Sequence, residues 1–407
     1  MCDQHVMIQW GSITPGEIFL VGKDSSMNIL IIGAGFGGLA LAAYLRRDGH
    51  SVTIVDHKKN RQYKGFIMGL WRNGLHTLEP FGVVARIHSL GFPIVEEMDR
   101  DKTGKILAIR DYRQLIEHYG PVFNLLHTDL YTILQELAEG VPICYETRVQ
   151  ALEEGQQGVS VTLSNGLRGE FDLVVGADGL HSWVRTSLFG NEGLSYSGMR
   201  MWFHLLPAGT IRLSEPNNLY GEGEYACVLP TESGEVGVEF LAAVPAEEPD
   251  LPEERISMLR RRFEDFGWII PNILQSLRNP NEIVSYNIHE VSLKRWHHGR
   301  VVLLGDAAHA VSPTVTMGCA MALEDAHVLA EELRLVDAAH VEEALDRYTT
   351  RRKSRVDQIR HTSDFVLRWT GMKEHVMVFF RNMGMHLVPR SMFLFSMEEI
   401  IDPKHDV

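Results

Sequence analysis

Residues 27–56 read MNILIIGAGFGGLALAAYLRRDGHSVTIVD. Residues 28–32 are a short apolar, β-branched run that reads as a buried parallel strand. Gly33-Ala-Gly35-Phe36-Gly37-Gly38 follows directly, and residues 39–47 are good helix formers. Residues 51–55 read as a second strand ending in Asp56, eighteen positions after Gly38. This order of strand, glycine turn, helix, strand and acid is the pattern of a dinucleotide-binding unit. Gly33 permits the tight turn, Gly35 leaves room for a pyrophosphate beside the backbone, and Gly38 lets the helix pack closely on the strand. The N–H groups at the helix start would face the phosphates. Asp56 would accept hydrogen bonds from ribose hydroxyls. The competing reading is a membrane or signal segment, since residues 29–45 carry no charge. Four glycines in that run, and the charged turn and second strand after it, argue against this.

A chain of 407 residues, 45% hydrophobic and 23% charged, is long enough for two domains or for one with a large insertion. Its net charge of −14 speaks against nucleic acid as a partner. The four cysteines, Cys2, Cys144, Cys227 and Cys319, lie far apart, with no metal-ligand spacing and no disulfide framework. A reducing, cytoplasmic setting is therefore expected, with no metal. Residues 1–26 match no pattern and are expected to be a disordered extension or the result of an upstream start choice.

Leu75, Leu78 and Phe81 share a helical face that Pro80 and Gly82 end. Residues 94–110 suit a hairpin around the turn 101–104, and residues 125–137 a helix. Residues 141–149, 159–163 and 171–175 read as strands, the last running into Asp178-Gly179. From 190 to 290 alternation and aromatics dominate, which predicts a separate antiparallel sheet interrupted by one helix near 252–266. Residues 300–304 return to the buried-strand style and lead into Gly305-Asp306. Helices are expected over 319–335 and 341–355, the second ending in a basic cluster, Arg351 to Arg355, read as a solvated face. The tail 374–400 is rich in Met and Phe. It suits core packing over a cavity, or contact with a membrane surface, which the net charge disfavours.

Three acids, Asp56, Asp178 and Asp306, stand at the ends of predicted strands, where an open α/β sheet binds its ligand. Singly, Asp178 and Asp306 also suit a helix cap or a turn. The three motifs are Gly33-x-Gly35-x-x-Gly38, VVGADG over 174–179, and VVLLGDAAHAVSP over 301–313, continuing into MALEDA over 321–326. Together they resemble the class A FAD-dependent monooxygenases, the group of p-hydroxybenzoate hydroxylase, and the resemblance spans nearly all of 27–355. LWRNG, over 70–74, resembles the family's second helix.

The resemblance implies an α/β fold: a Rossmann-like FAD-binding domain over 27–189 and 291–355, an inserted antiparallel substrate domain over 190–290, and a helical segment over 356–407. It implies that Gly33, Gly35, Phe36, Gly37 and Gly38 hold the FAD pyrophosphate and Asp56 the adenosine ribose. Val149 would place backbone near the adenine, Asp178 would serve FAD and the pyridine nucleotide, and Asp306 the ribityl or pyrophosphate region. Gly318 would let the chain pass close to the isoalloxazine ring, with the positive end of the next helix facing it. Two positions depart from the family. Thr316 stands where the first glycine of Gly-x-Gly is usual, and His127 where an arginine is usual. The implied reaction consumes NADPH or NADH as transient reductant and inserts one atom of O2 into an aromatic, polyketide-like or isoprenoid small molecule through a flavin C4a-hydroperoxide. Trp202, Tyr225 and Phe240 are candidate pocket residues, with sheet core as the competing reading, and no general base is assigned. The alternatives are a flavin reductase that does not use O2, a halogenase, disfavoured for lack of its Trp motif, and a non-catalytic flavoprotein.

Overall fold

The computed structural model describes residues 26–59, 66–190, 192–246, 248–387, 398 and 400–402. The extension expected over 1–26 lies outside the described residues apart from Ser26, as do Met392, Phe393 and Phe395 of the tail.

The central sheet has six strands, in the order His297–His298, Val301–Leu303, Leu173–Gly176, Asn28–Ile32, Ser51–Val55, Ile143–Cys144. All neighbours are parallel except the edge strand His297–His298. The inner strands are buried on both faces, which is why they read as continuous apolar runs rather than alternations. The helices Phe36–Arg47 and Gly318–Arg334 lie side by side against this sheet. Their approach needs Gly37, whose Cβ would stand 2.3 Å from Leu304 and 3.3 Å from the Cβ of Ala322.

The second layer is a seven-stranded sheet, in the order Val284–Val291, Leu194–Leu206, Val236–Ala243, Glu224–Pro230, Asn217–Tyr220, Glu96–Asp101, Ile106–Asp111. It is antiparallel except where Asn217–Tyr220 meets Glu96–Asp101. Its last two strands are the hairpin at 96–111, so the sheet recruits chain from outside 190–290. One face packs on the helices Arg255–Arg262 and Ile270–Ser276. The other is turned toward the strand Ile67–Leu70, for a Cβ on Gly237 would lie 2.5 Å from Ile67.

Four expectations need correction. The strand expected over 141–149 is the short Ile143–Cys144, and a separate strand, Val149–Glu154, begins beyond Glu146, whose φ of 53° interrupts the extended backbone. The helix expected to end at 355 runs on as Val341–Thr370. The basic cluster is not a solvated face: Arg352 and Arg355 are buried in ion pairs. The described part of the tail is core only in part: Val378 and Ile400 are buried, but the helix that carries Val378 is largely exposed. The helix His375–Leu387 exposes Val376, Met377, Phe379, Phe380, Met383 and Leu387. No helix among the described residues is long and apolar enough to cross a membrane.

Candidate functional site

The site begins at the carboxyl edge of the central sheet. Ile32 is in register with Val55 and with Gly176, and Gly176 with Leu303. The four strands therefore end side by side, and from the end leading to Asp56 to that leading to Asp306 the edge spans about 14 Å. Asp178 leaves the strand between. The edge order is Asp56, the glycine turn, Asp178, Asp306.

Gly33 has φ +113°, and a Cβ there would fall 2.2 Å from the carbonyl oxygen of Ala177. A Cβ on Gly38 would fall 2.0 Å from the Gly33 carbonyl oxygen. The turn is thus clamped between its own helix and the Asp178 strand, and only glycine fits at both points. The helix Phe36–Arg47 starts at Gly35 with no side-chain cap and no acid in its first turn. Its leading amides point out of the helix beside a partial positive charge, the arrangement that takes an anion. Gly37, by contrast, faces Leu304 and Ala322, so its lack of a side chain serves helix packing.

Asp56 is buried, its Oδ2 accepting from the N–H of Ala34 and its Oδ1 from that of Lys58, both at 2.8 Å. It pins the glycine turn to the end of its strand. The Thr147 amide donates to the Asp56 carbonyl at 3.0 Å, which brings the chain entering Val149 alongside. Asp178 Oδ2 accepts from the amides of Trp183, at 2.8 Å, and Val184, at 3.1 Å. Its side chain therefore anchors the start of the helix Trp183–Phe189, as the capping alternative has it. Burial pushes its carboxyl up, against the hydrogen bonds that favour the charge. Asp306 differs from both. It is exposed, yet loss of solvation raises its pKa against the pull of His309, and Asp325 adds to the rise. A carboxyl both accessible and crowded lines a concavity.

On the far side of that concavity the chain turns through Thr316 at φ +54°. A β-branched residue in the left-handed region is strained by roughly 1–2 kcal/mol, which is why glycine suits this position. Trp71 Nε1 donates to Thr316 Oγ1 at 2.9 Å and holds it. The helix Gly318–Arg334 follows without a side-chain cap or an early acid, and a Cβ on Gly318 would meet nothing within 4 Å. Burial raises the neighbouring Cys319 thiol, and the charge of Asp306 raises it further. His127 packs between Phe36, edge-on at 5.3 Å, and Phe66, stacked at 5.6 Å. Burial drives its pKa down to about 3, so it is neutral where the family's arginine brings charge.

The seven-stranded sheet forms the opposite wall, and register decides which side chains reach it. Trp202 pairs with Phe240, and both lie in the cluster packed on the two helices behind the sheet, 0% and 1% exposed. The two are corrected from pocket lining to sheet core. Both sit on the parity of Val238, which the helices cover; so does His204, whose Nδ1 stands 3.4 Å from the Glu282 carbonyl oxygen. Tyr225 is on the other parity, its hydroxyl donating to Asn218 at 2.6 Å. The face toward Ile67–Leu70 carries Met201, Phe203, Tyr225, Cys227, Glu239 and Tyr286. Phe66 stacks on Phe203 at 5.0 Å and approaches Tyr286 at 5.9 Å. The polar end of this face is locked: Arg110 is bidentate to Asp99 at 2.7 and 2.8 Å and reaches Tyr220, while Tyr112 donates to Glu97 at 3.0 Å.

Sequence reasoning missed two features. One is Glu239, detectable as the lone charge within VGVEFLAA. The other is a buried network behind Asp306. Asp325 Oδ2 lies 2.6 Å from His309 Nε2, Asp325 Oδ1 accepts from Arg352 at 2.8 Å, and Glu324 binds Arg352, Arg355 and Asn73. Burial opposes both charges, but His309 and Arg352 draw Asp325 down to about 2, and Arg352 and Arg355 hold Glu324 below its usual range. The alternation of acids at 324–325 with arginines at 352 and 355 was visible, but not that the two helices pair.

Residues 26–363 match the family model described as FAD binding domain. The 2-heptyl-3-hydroxy-4(1H)-quinolone synthase of Pseudomonas aeruginosa is 29% identical over 367 residues, 90% of this chain and 95% of that protein. The aurachin C monooxygenase/isomerase of Stigmatella aurantiaca is 28% identical over 336 residues, 82% of this chain and 87% of that one. Among solved structures, Klebsiella pneumoniae HpxO complexed with FAD and uric acid superposes with a TM-score of 0.85 at 24% identity, covering 92% of this chain and 96% of that one, which speaks to the fold. The chain belongs to the FAD binding domain family and is an FAD-dependent monooxygenase.

Proposed function

We propose that this protein inserts one atom of O2 into a small, apolar aromatic molecule, with NADPH or NADH as transient reductant. The observation that carries this reading is the concavity between two unlike walls. One is a row of donors and acceptors at the sheet edge, ending at exposed Asp306 and the open side of Gly318. The other is an aromatic and aliphatic sheet face. FAD fits the first wall. The amides of Phe36, Gly37 and Gly38 at the helix start, with Gly33 and Gly35 shaping the turn, would hold the pyrophosphate. Asp56 would take the ribose, Val149 the adenine by its backbone, Asp306 the ribityl chain, and Gly318 would give the ring room. Asp178 would act from its position between these. His127, being neutral, would contribute contact but no charge.

When bound, FAD supplies the redox chemistry, accepting hydride and activating O2. The chain's own part is positional and electrostatic. The uncapped start of Gly318–Arg334 favours negative charge at that end of the concavity. Phe66 and Tyr286 present rings that orient a planar substrate and exclude water, with buried Phe203 stacked behind Phe66. The relatives' names, a quinolone synthase and an aurachin monooxygenase, support an aromatic heterocycle as the class.

The test is to load the protein with FAD, find aromatic compounds that stimulate NADPH or NADH oxidation, and run the reaction under labelled O2. One labelled oxygen in the product is expected. Turnover that leaves the product unlabelled would overturn the reading in favour of a reductase.

A further inference from the structure

Glu239 stands at the middle of the strand Val236–Ala243, the lone charged residue in it. Its register partners, Phe203 on one side and Cys227 on the other, fix it on the sheet face that looks toward the cofactor edge. Tyr286 feels the charge of both Glu239 and Asp306, so both carboxyls lie near that ring. Among the described residues no hydrogen bond or ion pair engages the Glu239 carboxyl, and only loss of solvation acts on it. The cation on this face, Arg110, is committed to Asp99 and Glu97. The polar groups facing Glu239 from neighbouring strands are Cys227 and Tyr225, Tyr286, Asn218 and Tyr220, then Glu97, Asp99 and Arg110, with Asp306 and Cys319 across the concavity.

We propose that Glu239 recognises an N–H or O–H donor on the substrate and accepts its proton, so that the substrate is a neutral aromatic or heteroaromatic bearing such a donor and no carboxylate or phosphate. The inference deepens the function proposed above and rests on it. A crowded carboxyl without a partner is costly, and a substrate donor supplies the missing hydrogen bond. Proton transfer breaks the substrate N–H or O–H bond and forms an O–H bond on Glu239. The electron pair stays on the substrate, spreads into its ring and raises the nucleophilicity of the ring carbon that takes oxygen. The proton returns to solvent when the product leaves. Burial holds the Glu239 carboxyl at about 7, so both protonation states are accessible near neutral pH. An anionic substrate would meet Glu239, Glu97 and Asp99 with no uncommitted cation on the face.

The experiment uses the FAD-loaded full chain and its Glu239→Gln variant, with flavin absorbance as the readout. Two probes are titrated: 4(1H)-quinolone, which has the donor, and 1-methyl-4(1H)-quinolone, which lacks it. The wild-type protein should bind the first about ten- to a hundredfold more tightly at about pH 8, with the preference shrinking toward about pH 6. The variant should retain FAD and lose both the preference and its pH dependence. Equal affinity for the two probes in the wild type, a preference that survives in the variant, or a flavin spectrum that responds to neither probe would each overturn the proposal. Failure of the underlying function shows separately, as product without labelled oxygen, and leaves these binding ratios unchanged.

Discussion

The carboxylate of Asp325 accepts the backbone N–H of Gly305 at 2.9 Å. This bond ties the turn that presents Asp306 to a buried network of His309, Arg352, Glu324 and Arg355. Asp325 sits fully buried among them, its charge held by the partners rather than by solvent. Asp325→Asn keeps the volume but leaves Arg352 with half its neutralisation. A loss of about 3–5 kcal/mol in stability is expected, as when one partner of a buried pair is removed. Because the Asp325 carboxyl is depressed to about 2, its stabilisation is present above the ordinary carboxylate range and is lost as pH falls from about 4 through 2. Thermal melts of both proteins across that window check this: the difference between them should narrow toward the acid end.

Asp306 tests the cofactor assignment without that structural entanglement. It is exposed and its carboxyl is raised by loss of solvation, so Asp306→Asn should leave stability at neutral pH unchanged or slightly higher. Its loss of charge should nevertheless weaken FAD retention by about tenfold or more. Equilibrium titration of the apoprotein with FAD measures this, and undiminished affinity in a normally melting variant would count against Asp306 as a cofactor residue.

Two glycines separate folding from binding. At Gly38 a Cβ would collide with the Gly33 carbonyl oxygen, so Gly38→Ala should lower the melting temperature and FAD affinity together. At Gly318 the Cβ meets open space at a helix start. Gly318→Ala should therefore hold or raise the melting temperature of the apoprotein, by up to about 1 kcal/mol of helix propensity. If the flavin ring passes there, FAD affinity falls all the same. A variant with both quantities unchanged would move the ring elsewhere.

The fold at the sheet edge was legible because its signals are local. Ile29 to Ile32, the glycine turn and Asp56 lie within thirty residues, and backbone geometry alone dictates most of them. The two departures from the family were visible as residues, but their settings come from distant chain: Thr316 takes a left-handed turn with Trp71 as its brace, and His127 is neutral between Phe36 and Phe66. What was not legible depends on distant chain. Alternation shows that Trp202 and Phe203 face opposite ways, but not which side the helices at 255–262 and 270–276 will cover. The arginines 352 and 355 look solvated until Glu324 and Asp325 arrive from another helix. Likewise the Met- and Phe-rich tail reads as core by composition, yet Phe379 and Phe380 are exposed on one flank of His375–Leu387.

Glu239 gives a test that needs no substrate. Its carboxyl is raised from the ordinary value near 4.5 to about 7 by burial. The folded protein therefore holds this proton more tightly than the unfolded chain does. The neutral form costs nothing below the unfolded value. As pH rises from about 4.5 through 7 the folded state must either keep a proton that solvent would take or bury the charge, and stability falls. With some allowance for the part of the side chain that solvent reaches, the penalty at about pH 8 is roughly 1–3 kcal/mol. Glutamine has the same shape and no charge to bury. Glu239→Gln should melt with the wild type at about pH 4.5 and above it at about pH 8. Calorimetry of the two apoproteins at both values decides the matter. A difference that does not grow with pH would mean the carboxyl is solvated, and so ill placed to wait for a proton from a bound ring.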